Sequence, residues 1–204
     1  RVRDRVAEWV DLDEVVGERH HEDDVFDLHR TRILAELAGW IRPRGARFTL
    51  TREGRRMLEP GREGERYARL FETCFRRFDL GYGTAREWTE GQHQVAFTLY
   101  RLGAVALDWV TARTLLDRRT VVPGAQGRLQ DDVVEREAAG LPRFDLPAST
   151  FETYLLLPLE DFGLVESRWE EETRARTWRV TSRYSRLLEF DLEGREGAEA
   201  PSPG

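Results

Sequence analysis

The chain of 204 residues is 40% apolar with six Trp and ten Phe, enough to build a core in one or two domains. No run reaches the ~18 apolar residues of a membrane span, and one cysteine, Cys74, excludes an internal disulfide and fits a reducing compartment, so the cytoplasm is the expected location. A net charge of −6 excludes a global attraction to phosphate backbones, so a nucleic-acid role requires a local basic patch.

The start at Arg1 in place of Met points to sequence upstream, and no apolar signal follows Arg1, Arg3 and Arg5. Val2, Val6, Trp9 and Val10 fall at helical spacing, and Leu12 to Val16 forms a second short segment before the polar break at 17–21. From Glu22 the stripe Phe26, Ile33, Leu34, Leu37 and Ile41 predicts a longer helix ending near Gly39, where glycine can take the left-handed conformation. A hairpin follows: Trp40 and Ile41 lead through Pro43, Arg44 and Gly45 to Phe48 and Leu50, which alternate with polar neighbours and are expected to face a core. Thr51 is a predicted N-cap for a helix through Met57 and Leu58 to Pro60.

Tyr67, Leu70, Phe71, Phe75 and Phe78 mark the next helix, with Cys74 among them as a small core residue. The capping box Thr84 to Glu87 precedes a long buried helix expected to carry Val95, Leu99, Leu102, Ala106, Trp109 and Leu116 on one stripe. Residues 122–127 read as a loop, 129–139 as a short helix, and 141–147 as a connector. The capping box Ser149 to Glu152 opens a helix containing Phe151, Leu155, Leu159 and Phe162, which Pro158 should kink or split and Gly163 should end. Leu164 and Val165 then lead through a polar turn to Trp178 and Val180, and Thr181 caps again; residues 193–204 are expected to be a disordered tail.

These pieces form a degenerate internal repeat. Gly39-Trp40-Ile41 matches Gly163-Leu164-Val165, Phe48-Thr49-Leu50-Thr51 matches Trp178-Arg179-Val180-Thr181, and Met57-Leu58 matches Leu187-Leu188. The expected fold is therefore mainly α with small β wings: tandem winged-helix-like units at 1–60 and 129–192, joined by a bundle of helices at 61–128.

The segment from Glu22 to Ile41, the run Phe48-Thr-Leu-Thr-Arg-Glu-Gly-Arg-Arg-Met-Leu58, and Leu157-Pro-Leu-Glu-Asp-Phe-Gly-Leu-Val-Glu166 with Trp178-Arg-Val-Thr181 resemble the C-terminal region of bacterial plasmid open-reading-frame-three-like proteins. The resemblance spans most of residues 22–192 and implies a winged-helix-like fold. It implies no catalytic residue.

His20, His21, Glu22, Asp23 and Asp24 carry metal-ligand chemistry, yet adjacent residues diverge on a helix and no His pair stands at i, i+4, so a solvated acidic helix start is expected. His29 reads as a partly buried packing residue and His93 as exposed. Gly81-Tyr82-Gly83-Thr84 reads as a turn, since no Gly-Lys-Ser/Thr or Gly-x-Gly-x-x-Gly pattern accompanies it, and no nucleophile elbow occurs. No catalytic, cofactor or metal residue is assigned, and a non-enzymatic chain is expected.

The charge pattern says more. All 32 cationic side chains are Arg, and residues 42–56 set six arginines against Glu53, a local net of +5. The helices ahead of the two hairpins are acidic, each −3 over residues 22–36 and 149–163, which disfavours their entry into a DNA groove. Arg42, Arg44, Arg47, Arg52 and Arg55 are thus the candidate phosphate-contacting residues. The expected function is a binding module, DNA-associated or regulatory, with non-specific phosphate contacts. The alternatives are an acidic protein-interaction scaffold or homodimer and, third, an unrecognised enzyme; no membrane partner is expected.

Overall fold

The computed structural model describes residues 26–45, 47–82, 89–121 and 145–190. The segments expected at 1–25, the capping box at 84–87, residues 122–144 and the tail lie outside the described residues. The chain divides into two compact units, one up to Tyr82 and the other from Gly83.

In the first unit, α1 (Phe26–Leu37) ends in a left-handed turn: Gly39 has φ +77°, its N–H donates to the Glu36 carbonyl, and Trp40 N–H donates to that of Ala35. β1 (Ile41–Arg44) and β2 (Arg47–Leu50) pair antiparallel, with Ile41 opposite Leu50 and Arg44 opposite Arg47. Thr51 then caps α2 (Arg52–Met57) by accepting from Gly54 N–H, while its own hydroxyl and N–H tie back to the carbonyls of Gly39 and Trp40. A Cβ on Gly54 would lie 2.1 Å from the Trp40 carbonyl oxygen, so only glycine lets α2 sit this close to the loop after α1. α3 (Glu63–Arg76) buries Thr73, Cys74 and Phe75, and its polar side is laced by Arg66–Glu63, Arg69–Glu72 and Arg76–Glu72 pairs.

The second unit repeats this plan in a different setting. α4 (Thr89–His93) leads into α5 (Val95–Val105), which stops with a C-cap at Ala106. The single long helical stripe expected through Leu116 is therefore broken: β3 (Val110–Thr111) follows Trp109, and Thr111 caps a new helix, α6 (Ala112–Asp117). The Ser149–Glu152 capping box is likewise not used, because α7 (Leu146–Phe151) begins earlier, where Asp145 accepts from Ala148 N–H and Pro147 tolerates the first turn. Pro158 lacks the N–H that the preceding turn needs, and the ladder widens into a π-helical turn at Glu152–Leu156, with Leu157 N–H reaching the Glu152 carbonyl, before α8 (Leu157–Asp161) resumes.

β4 (Val165–Glu170) and β5 (Ala175–Val180) pair antiparallel, and β3 adds to the other edge of β5, giving the order β3-β5-β4. The Glu160 carboxylate accepts from both the N–H (2.9 Å) and the hydroxyl (2.7 Å) of Ser167 at the outer edge of β4. α9 (Tyr184–Leu187) closes the unit, with the Tyr184 hydroxyl donating to the Leu99 carbonyl; burial pushes that phenol well above its ordinary range. Trp178, Phe151, Leu155, Leu159 and Leu164 are fully buried and form the core.

The expected mainly α class does not hold. Helix makes up about 53% and strand 17% of a mixed α/β fold with two small antiparallel sheets. Two features account for this: the helical stripe breaks at Ala106 to free a third strand, and the second hairpin lengthens to six residues per strand. Of the helices between the two hairpins, α3 falls in the first unit and α4 to α6 in the second.

Candidate phosphate-binding hairpin

Side chains alternate across a strand, and residues directly opposite in register share a face. Arg42 faces with Thr49, and Arg44 with Arg47, so the three arginines line one face of the β1–β2 ribbon; Ile41, Pro43, Phe48 and Leu50 line the other. Arg42, Arg44, Arg47, Arg52 and Arg55 are all exposed, as the phosphate-contact expectation requires. Arg52 opens α2, and Arg55 turns back to donate to the Leu50 carbonyl at 2.9 Å.

What singles out the ribbon is the fate of the other arginines. Arg56, which the +5 count includes, donates to Glu53 at 2.6 Å and to Glu65 at 2.7 Å, while Arg62 binds Glu59 and Glu65. These contacts hold the Glu53 and Glu65 carboxyls below their ordinary range, through hydrogen bonds from Arg56 foremost. By contrast, Arg42, Arg44, Arg47 and Arg52 make no ion pair or side-chain hydrogen bond among the described residues. Arg44 and Arg47 even stand directly opposite each other, an arrangement that costs stability unless an anion is supplied.

The ribbon's other face departs from expectation. Phe48 is 47% and Leu50 41% exposed, where both were expected to face a core. The Arg32 guanidinium, 5.2 Å from the ring centroid, lies over Phe48. Alternation fixes the side of a strand on which a residue sits but not whether that side is covered. In the second hairpin Trp178 is fully buried and donates from Nε1 to Glu152 at 3.0 Å, with Val180 partly buried.

His29 is partly buried, as expected, and its Nε2 lies 2.7 Å from the Tyr82 hydroxyl. His93 is exposed and Cys74 buried. The residues His20 to Asp24 lie outside the described residues, and among the described residues no three His, Cys, Asp or Glu side chains gather as a metal site. No helix among the described residues is long and apolar enough to cross a membrane.

One arrangement escaped the sequence reading. Two guanidinium groups stack on Trp109, Arg168 at 4.4 Å and Arg179 at 4.6 Å from its ring centroid. The run Asp108-Trp-Val-Thr111, with a capping Thr after a β-branched residue, is the signal that could have located it. Comparison with family models, with curated proteins and with solved structures finds no match to this chain.

Proposed function

We propose that this chain is a non-enzymatic binding module of the cytoplasm that holds DNA through phosphate contacts from its first hairpin. The observation that carries the reading is the set of exposed arginines, Arg42, Arg44, Arg47 and Arg52, left without a carboxylate among the described residues while arginines of the adjoining helices are paired. Guanidinium groups on one ribbon face can reach successive phosphates without reading base edges, so binding is weak and poor in sequence preference. The resemblance to the plasmid open-reading-frame-three-like proteins belongs to this proposal and adds no residue role.

The test is fluorescence anisotropy of a labelled duplex titrated with the protein at low and physiological salt. Contacts from about three or four arginines give a slope of log affinity against log salt near −3 to −4, from about −0.9 per phosphate. The triple substitution Arg42→Glu, Arg44→Glu, Arg47→Glu abolishes binding and leaves the melting temperature close to that of the parent. Absence of binding at low salt defeats the proposal. A second reading, a protein partner or a second copy, is favoured by the exposed Phe48 and Leu50 on the opposite ribbon face; a dimer in sedimentation that Phe48→Ser dissolves supports it.

A further inference from the structure

The two hairpins match in register and differ in charge at each matched step. With Ile41 opposite Leu50 set against Val165 opposite Val180, the pair Arg42 and Thr49 corresponds to Glu166 and Arg179, and the pair Arg44 and Arg47 to Arg168 and Thr177. In the second hairpin each cation at these steps has a carboxylate of its own strand pair: Arg179 donates to Glu166 at 2.6 Å and Arg168 to Glu170 at 3.0 Å. In the first hairpin the same steps hold three arginines and a threonine, and the arginines meet no carboxylate among the described residues. The hydroxyl of Thr49, on the same face, is buried and has no hydrogen-bond partner among the described residues. A donor and three cations are thus left in want of an anionic acceptor.

The spacing says what kind of anion completes this face. Directly opposed residues of an antiparallel pair have Cα atoms about 4.5–5.5 Å apart, so the stems of Arg44 and Arg47 start side by side. Two guanidinium groups so placed converge on one phosphoryl group more readily than they divide between two, and the shared anion removes the repulsion between them. A phosphodiester inside a strand brings a single charge to that meeting. A terminal phosphate monoester brings three acceptor oxygens and a charge of about −1.5 to −2, close to the sum of the two guanidinium charges. Arg42 and Thr49, the next pair along the same face, are then left for the adjoining phosphate of the strand.

We propose that the arginine face of the first hairpin seats the terminal phosphate monoester of a DNA strand end, held jointly by Arg44 and Arg47, with Arg42 and the Thr49 hydroxyl on the adjoining phosphate. The proposal rests on the phosphate-binding reading given above and narrows it from any stretch of duplex to a phosphorylated end.

The experiment is fluorescence anisotropy of the full chain at low salt with one internally labelled blunt duplex in three forms, bearing 5′-phosphate, 3′-phosphate or only hydroxyl ends. At least one phosphorylated form should bind about tenfold more tightly than the hydroxyl form, the worth of one added charge-assisted contact. A hydroxyl-ended duplex two base pairs longer adds about as much charge within its backbone and should bind like the shorter hydroxyl form. Arg44→Ala with Arg47→Ala should erase the preference, whereas Arg52→Ala should weaken all forms alike and keep it. Where the double variant loses its native circular dichroism, Arg44→Lys reads the same point, since it keeps the charge and loses the bidentate fork. Equal affinity of the parent for all three forms overturns the proposal and leaves the duplex reading standing; binding to none removes both. A phosphoserine peptide that displaces the duplex at lower concentration than an end-phosphorylated oligonucleotide also overturns it.

Discussion

The two hairpins are built by the same local rules and end up in opposite surroundings. Each follows a glycine with positive φ, Gly39 or Gly163, and each is closed by a threonine, Thr51 or Thr181, whose hydroxyl and N–H return to the two carbonyls after the preceding helix. Phe48 and Trp178 hold the same register position, yet one is 47% exposed and the other fully buried. Hydrogen bonding at the ends sets the shape of a hairpin. Its burial depends on what the chain lays on its two faces, and the second hairpin has β3 beside it and the π-helical segment behind Trp178.

The largest test of that contrast is Trp178→Ala against Phe48→Ala. Loss of the buried indole should cost about 3–5 kcal/mol, since a cavity opens and the Glu152 carboxylate loses its donor, whereas Phe48→Ala should cost less than about 1 kcal/mol. Urea denaturation followed by circular dichroism measures both, and similar losses would erase the distinction. An intermediate effect is expected where the hairpins agree. Thr51→Val and Thr181→Val should each lose about 1 kcal/mol by the same assay, because each removes a hydroxyl that donates to the two carbonyls after the preceding helix, although Thr51 also caps α2 through Gly54 N–H while Thr181, against expectation, does not cap α9, whose N-cap is Arg183; an effect at one site several times that at the other would show that the shared motif is not equivalent.

The smallest effect concerns the paired arginines that make the ribbon's free ones conspicuous. Hydrogen bonds from Arg56 and then Arg62 lower the Glu65 pKa, so their contribution is present above the unfolded carboxyl's pKa and is lost as pH falls through the depressed folded value. All three side chains are solvent-exposed to a degree that keeps the effect on stability slight. A carboxyl-detected NMR titration should place Glu65 below the ordinary glutamate range in the parent and nearer to it in Arg56→Gln. Ordinary titration in both would remove the network, and with it the difference between neutralised helix arginines and bare ribbon arginines.

Backbone punctuation was legible in the sequence. Gly39, Gly163, Thr51 and the turn at Gly45 announce themselves because few residues take positive φ or cap a helix, and the repeat follows from their order. The arginine face was legible as composition but not as geometry: the six cations between 42 and 56 are equal on paper, and only side-chain placement shows that Arg56 is neutralised and Arg42 is not. Two things were hidden. A strand as short as Val110–Thr111 carries no periodicity of its own, so Trp109 read as the continuation of a helical stripe. Phe48 and Leu50 alternate as core residues do, because alternation reports sidedness and not cover.

Glu160 has a consequence for the protein in a crowded cell. A bare outer strand is a template on which a neighbouring molecule's backbone can crystallise, and the spare N–H of Ser167 would be the first place to seed such growth. The carboxylate of Glu160, donated by the chain itself, already sits on that N–H. Any strand arriving there must first displace that carboxylate from the N–H and the hydroxyl of Ser167. A side chain seven residues upstream thus occupies the donor that an incoming strand would need at this point of the edge.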